Sequence, residues 1–174
     1  RDAYQHTGCY NLLCKGFVLA VNTFAPGGII DLTSVYGGQQ HEISLLIWRE
    51  KNTGDWWLKV DGVNVGYWPN SLFTSLKDSA DRVDWGGEIV NAQYMHGHTS
   101  TGMGSGHFPE EGYGKAAYFR NLEIVDASNT FRPPPPLEVP TSRPGCYGVL
   151  VGDTGTAAGT YFYYGGPGSN PNCR

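Results

Sequence analysis

Glycine and proline cut this chain into short pieces. Its 174 residues include 25 glycines and 11 prolines, and a further 13% are aromatic. Abundant turn formers, large ring side chains and few long helix formers make an all-β composition. The pieces read as strands closed by Gly, Pro, Asn or Asp. Residues 17–22 are a short β-rich run. Residues 43–48 and 56–60 pair as a hairpin across the turn Lys51-Asn52-Thr53-Gly54. Asp61-Gly62 turns the chain into a strand over 63–67, which Pro69 stops. Residues 71–77 form the one helix candidate, with Ser71 as cap and Leu72, Phe73 and Leu76 at helical spacing. Further strands are expected over 88–94 and 116–125, and a last hairpin joins 146–151 to 160–164. Residues 131–144, with four successive prolines, read as an extended, semi-rigid connector. The pattern predicts one domain over 1–174. Its class is all-β: an antiparallel β-sandwich of two sheets with at most one short helix.

Charged residues are only 16% and the net charge is −4, with no basic cluster. Neither nucleic acid nor an anionic membrane is an expected partner. No apolar run approaches the roughly 20 residues that span a bilayer. The start at Arg1 reads as a processed or trimmed chain. The four cysteines fall into two local groups, Cys9 with Cys14 and Cys146 with Cys173. Three connectivities are possible and the two local pairs are favoured, which points to an oxidising compartment. The spacings lack the Cys-x-x-Cys pair of a zinc site.

The residue best suited to chemistry is Glu88, in Trp85-Gly86-Gly87-Glu88. A carboxylate against an apolar wall holds its proton nearer the working pH, as acid–base catalysis requires. His96, His98 and His107 lie in a glycine-rich stretch, but no carboxylate or further histidine completes a metal set at a trusted spacing, so neither metal nor cofactor is expected. Gly102-Met103-Gly104-Ser105-Gly106 is neither a nucleophile elbow nor a phosphate loop. It reads as a loop, or a strand whose backbone lies close to something. Trp48, Trp56, Trp57 and Trp68 cluster in the sequence; some fill a core and others line a concave surface. The candidates for a substrate groove are Trp57, Trp68, Trp85, Tyr67 and His98.

Longer motifs carry a resemblance. Thr7-Gly8-Cys9-Tyr10-Asn11-Leu12-Leu13-Cys14, Trp56-Trp57-Leu58, Val65-Gly66-Tyr67-Trp68-Pro69, Trp85-Gly86-Gly87-Glu88, the run from His98 to Gly106, and Tyr164-Gly165-Gly166-Pro167-Gly168 with Cys173 together resemble the neprosin domain of plants. The resemblance covers nearly the whole chain. It implies a secreted protein, extracellular or vacuolar, with disulfides Cys9–Cys14 and Cys146–Cys173. It also implies a glutamic peptidase that cleaves proline-containing peptides after proline at acid pH. Two glutamates face each other in that family, and Glu88 matches the second. The first belongs upstream of the Cys9 motif, so the N-terminal strands and that glutamate are expected from elsewhere, a second chain being one source. The other reading is an inactive β-sandwich that binds peptide or glycan on its aromatic groove, or serves storage or defence.

Overall fold

Strands form where β-branched and aromatic residues run together, and the turns fall at Gly, Asn and Asp. The computed structural model describes residues 8–91, 97–152, 155 and 157–173. They make an all-β chain in which every strand pairing is antiparallel. The described residues fall into two compact units. One holds residues up to 33 together with 41–83, the other 34–40 together with those from 84 onward.

The first unit is a four-stranded sheet. Its strands are β1 (Val18–Leu19), β2 (Leu45–Arg49), β3 (Trp56–Val60) and β4 (Val63–Trp68), in the order β1-β4-β3-β2. The expected 43–60 hairpin forms, with Leu45 opposite Val60 and Arg49 opposite Trp56. Its turn is held by Glu50, whose carboxylate accepts from the backbone N–H groups of Thr53 (2.7 Å) and Asn52 (2.9 Å). These donors, Thr53 first, hold the Glu50 carboxyl below its ordinary value. The next turn places Asp61 and Gly62 at φ 46° and 83°. Two successive positive φ values match the right-handed twist of the flanking strands, and glycine supplies the second without strain.

Alternation along these strands separates two faces. Trp48, Trp57 and Tyr67 share one. Trp56 and Trp68 share the other, where Phe17 lies 4.7 Å from the Trp68 ring. Residues 70–77 cover this second face: Trp56 Nε1 donates to Leu76 O (2.8 Å) and Arg49 Nε to Lys77 O (2.9 Å). The helix expected over 71–77 reduces to a single 3-10 turn, Asn70–Leu72, and Ser71 makes no capping hydrogen bond. Phe73 is already extended, and so short a segment gains more from crossing the sheet than from a helix nucleus.

The second unit is built on β5 (Ala117–Phe119), β8 (Gly148–Val151) and β9 (Phe162–Gly165), in the order β5-β9-β8. A ribbon of β6 (Ile124–Val125) and β7 (Phe131–Arg132) accompanies them. The last hairpin is the expected one. The strand expected over 116–125 is instead two, because Asn121 takes φ 51°. Asn121 N and Leu122 N turn to Ala158 O and Thr160 O. Residues 88–91 join no ladder, and 92–94 of that expected strand lie outside the described residues. Cys9–Cys14 and Cys146–Cys173 are both disulfide-bonded.

Two expected outcomes follow from these contacts. The folded pKa of Glu50 lies below its unfolded value. Its contribution is therefore full above the unfolded value and fades as pH falls through the folded one. Glu50→Gln is expected to lower the urea midpoint at neutral pH, with the gap to wild type closing on acidification. Replacing Cys146 and Cys173 together by serine releases a 27-residue separation and is expected to cost about 3–4 kcal/mol by loop entropy. Chemical denaturation of the two forms measures it.

Candidate functional site

Glu88 stands on a segment with the side-chain alternation of a strand but no ladder partner among the described residues. Ile89 and Asn91 are half-buried, whereas Glu88 and Val90 are exposed. Ile89 packs with Met103 against the cluster of Cys146, Tyr147 and Cys173. On the other side of Glu88, Gly87 lies close against its neighbours, and a larger residue would require the Met103 side chain to shift. A methyl group there would lie 2.8 Å from Met103 Cγ, 2.9 Å from its sulfur and 3.1 Å from the Tyr164 ring. Both neighbours of Glu88 are thus seated on the unit, and its carboxylate points outward. Trp85 is half-buried and leaves Glu88 exposed.

The floor beneath this segment comes from two glycine-rich stretches. Met103 N donates to Gly166 O (2.9 Å) and Gly166 N donates back to Met103 O (3.3 Å). Ser169 N reaches Thr99 O at 2.8 Å. The stretch 97–107 therefore extends the pairing beyond β9, and its small residues allow backbone to approach backbone. Tyr164, on β9, packs against Phe119 and Phe162, and burial pushes its hydroxyl pKa up.

His98 is tied into the same floor. Its Nε2 lies 3.0 Å from the Tyr147 hydroxyl, and the two rings meet edge-on at 5.3 Å. The Tyr147 hydroxyl donates its one proton to Thr101 O (2.9 Å). His98 then donates through Nε2–H, and its Nδ1 faces the Asn91 side-chain amide at 3.5 Å, accepting from it when the ring is neutral. His107 goes elsewhere: its Nδ1 is 2.9 Å from Glu111, which also accepts from the Tyr36 hydroxyl at 2.7 Å. His96 lies outside the described residues. Among those described, no group of three His, Cys, Asp or Glu is placed to hold a metal.

The first unit carries the other aromatic candidates. Trp57 is the cross-strand partner of both Trp48 and Tyr67, with ring centroids at 6.1 and 4.9 Å. Lys59 Nζ sits 5.4 Å from the Trp48 ring. Trp57 and Tyr67 thus form one platform, Trp68 lies on the opposite face, and Trp85 and His98 belong to the other unit. Trp48, absent from the groove candidates expected from sequence, joins this platform. The Lys51-Asn52-Thr53-Gly54 turn sets a register that pairs Trp48 with Trp57, so the signal was present. Tyr147, Met103 and Tyr164 carried no such signal, because their roles depend on contacts distant in sequence.

Most other carboxylates that make contacts are structural. Glu50 holds a turn. Glu111 is kept low in pKa by the Tyr36 hydroxyl and then by His107. Asp126 is held far below the ordinary range, first by its hydrogen bond to Arg132 and then by Ser128. Among the described residues Glu88 carries no hydrogen bond or ion pair.

The motifs of the two units are those of one family. The Neprosin family profile matches residues 1–167, a span that takes in the Cys9 motif, the tryptophan strands, Trp85-Gly86-Gly87-Glu88 and the Met103–Gly166 contact. The chain belongs to the Neprosin family.

Proposed function

We propose that this chain is the part of a glutamic peptidase that supplies Glu88 as one of two catalytic carboxylates, and that its substrates are peptides cut after proline at acid pH. The observation that carries the reading is the seating of Glu88. A close approach at residue 87 and a packed side chain at Ile89 hold an exposed carboxylate between them. Membership of the Neprosin family supports a peptidase. In the proposed reaction one carboxylate is charged and takes a proton from water as it attacks the scissile carbonyl. The other is neutral and gives its proton to the leaving amine. Two nearby carboxylates do not both ionise easily, which favours this split state and an acid working range.

The flat rings of Trp57 and Tyr67, extended by Trp48, offer an apolar surface of the kind that holds peptide or glycan. The two disulfides are compatible with an oxidising compartment, and we assign the protein to the extracellular space or the vacuole. The second carboxylate is proposed to arrive on strands from sequence upstream of Cys9, in the same polypeptide or in a companion chain. The edge strand β2 exposes Leu45 (56%) and Ile47 (55%) and offers such strands a partner. A binding role without catalysis is the second reading, favoured by the Trp48–Trp57–Tyr67 platform alone.

Hydrolysis of a proline-containing peptide at acid pH tests these readings. Glu88→Gln is expected to lower kcat by about a hundredfold or more, the usual weight of general acid–base catalysis, with the fold intact by circular dichroism. Equal rates would remove Glu88 from the mechanism. Trp57→Ala is expected to weaken peptide binding by up to roughly tenfold, measured by titration of the Glu88→Gln form, since an aromatic contact is worth about 1.5 kcal/mol at most beyond its area. Mass of natural material under native and denaturing conditions tests the partner. A companion polypeptide or a longer chain carrying the upstream glutamate supports it, and full activity in these 174 residues alone overturns it.

A further inference from the structure

We propose that Tyr147 is a positioning residue for Glu88, acting through His98 and Ile89 without touching substrate. The inference rests on the reading of Glu88 as catalytic. Three alternate residues of the segment face inward around it, and each has a different anchor. Gly87 lies on Met103 and Tyr164, Ile89 on the cluster that contains Tyr147, and Asn91 against His98. Two of these anchors lead to Tyr147.

Its side chain is 7% exposed, and it is fixed at its base by Cys146, which is bonded to Cys173. Its ring belongs to the cluster on which Ile89 and Met103 pack. Its hydroxyl joins two points of the stretch 97–107, donating to Thr101 O and accepting from His98 Nε2. Burial pushes the hydroxyl pKa up, so the oxygen keeps its proton and its donor role. Because Nε2–H is committed to Tyr147, the His98 ring is held with Nδ1 toward Asn91, whose amide also reaches Gly97 O at 3.4 Å. One phenol therefore belongs to the cluster on which Ile89 packs and sets the ring orientation that meets Asn91. Fixing a reacting group through supports of this kind matters because a misplacement of about 1 Å costs roughly a hundredfold in rate.

The test uses Tyr147→Phe, which keeps the ring and removes the hydroxyl, in the active full-length protein. The amide resonances of Glu88 and Ile89 are expected to shift and broaden. Hydrogen exchange over residues 98–101 is expected to quicken, and kcat to fall by roughly ten- to a hundredfold with KM nearly unchanged. His98→Ala should behave alike. His98→Gln retains an N–H for the Tyr147 oxygen and should recover most of the loss. A lower melting temperature with unchanged Glu88 resonances, and unchanged kcat below it, overturns the inference, as does a His98→Gln variant no better than His98→Ala. Full activity in Glu88→Gln would instead sink the reading of Glu88 as catalytic. The Glu88 and Ile89 resonances in Tyr147→Phe would still decide whether Tyr147 positions the segment.

Discussion

The reciprocal hydrogen bonding of Met103 with Gly166 organises the second unit. Backbone polar groups buried together must pair, and here they pair between two stretches that are far apart in sequence and poor in bulky side chains. The approach places the Met103 side chain against the segment of Glu88 and beside Tyr164. Gly87 then lies close to both, and a larger residue would displace the Met103 side chain. The glycines after Tyr164 are thus explained by close backbone contact, and Gly104 and Gly106 by their positive φ, with no need for a bound phosphate or nucleophile elbow. Moving either stretch would remove the floor on which Glu88 is presented.

The disulfide Cys146–Cys173 and Tyr147 complete that floor from the other side. Cys146, Tyr147 and Cys173 form the buried cluster, so the covalent link, the ring and the hydroxyl act at one place. The first unit is built differently, as a sheet with one face covered by residues 70–77 and an aromatic row on the other. Its tryptophans divide by register: those opposite one another on β2 and β3 make the row, and their neighbours face the cover.

What was legible in the sequence follows this division. Local contacts could be read: the 43–60 hairpin, the Asp61-Gly62 turn, the closing hairpin and the two local cysteine pairs all join residues near in sequence. The all-β class followed from turn density. Boundaries that depend on distant partners could not be read. Residues 71–77 have helical spacing, but the backbone carbonyls of Leu76 and Lys77 are drawn to Trp56 and Arg49. Residues 116–125 look like one strand until Asn121 and Leu122 turn to the segment before β9. Glu88 was visible from its flanking glycine and tryptophan, whereas the roles of Met103 and Tyr147 arise only when the chain closes.

Electrostatics narrows the choice of a second carboxylate. The neutral partner in a two-glutamate reaction must keep its proton through the working range, which favours a group whose pKa is not depressed. Three of the engaged carboxylates fail this condition for separate reasons. Glu50 is stabilised as an anion by the N–H groups of Thr53 and Asn52, Glu111 by the Tyr36 hydroxyl and His107, and Asp126 by Arg132 and Ser128. Each also holds a turn or a loop that protonation would loosen. Recruiting one of them as the acid would remove a structural contact at the pH where catalysis is proposed. Physical chemistry therefore argues for a partner that is not one of these anchors.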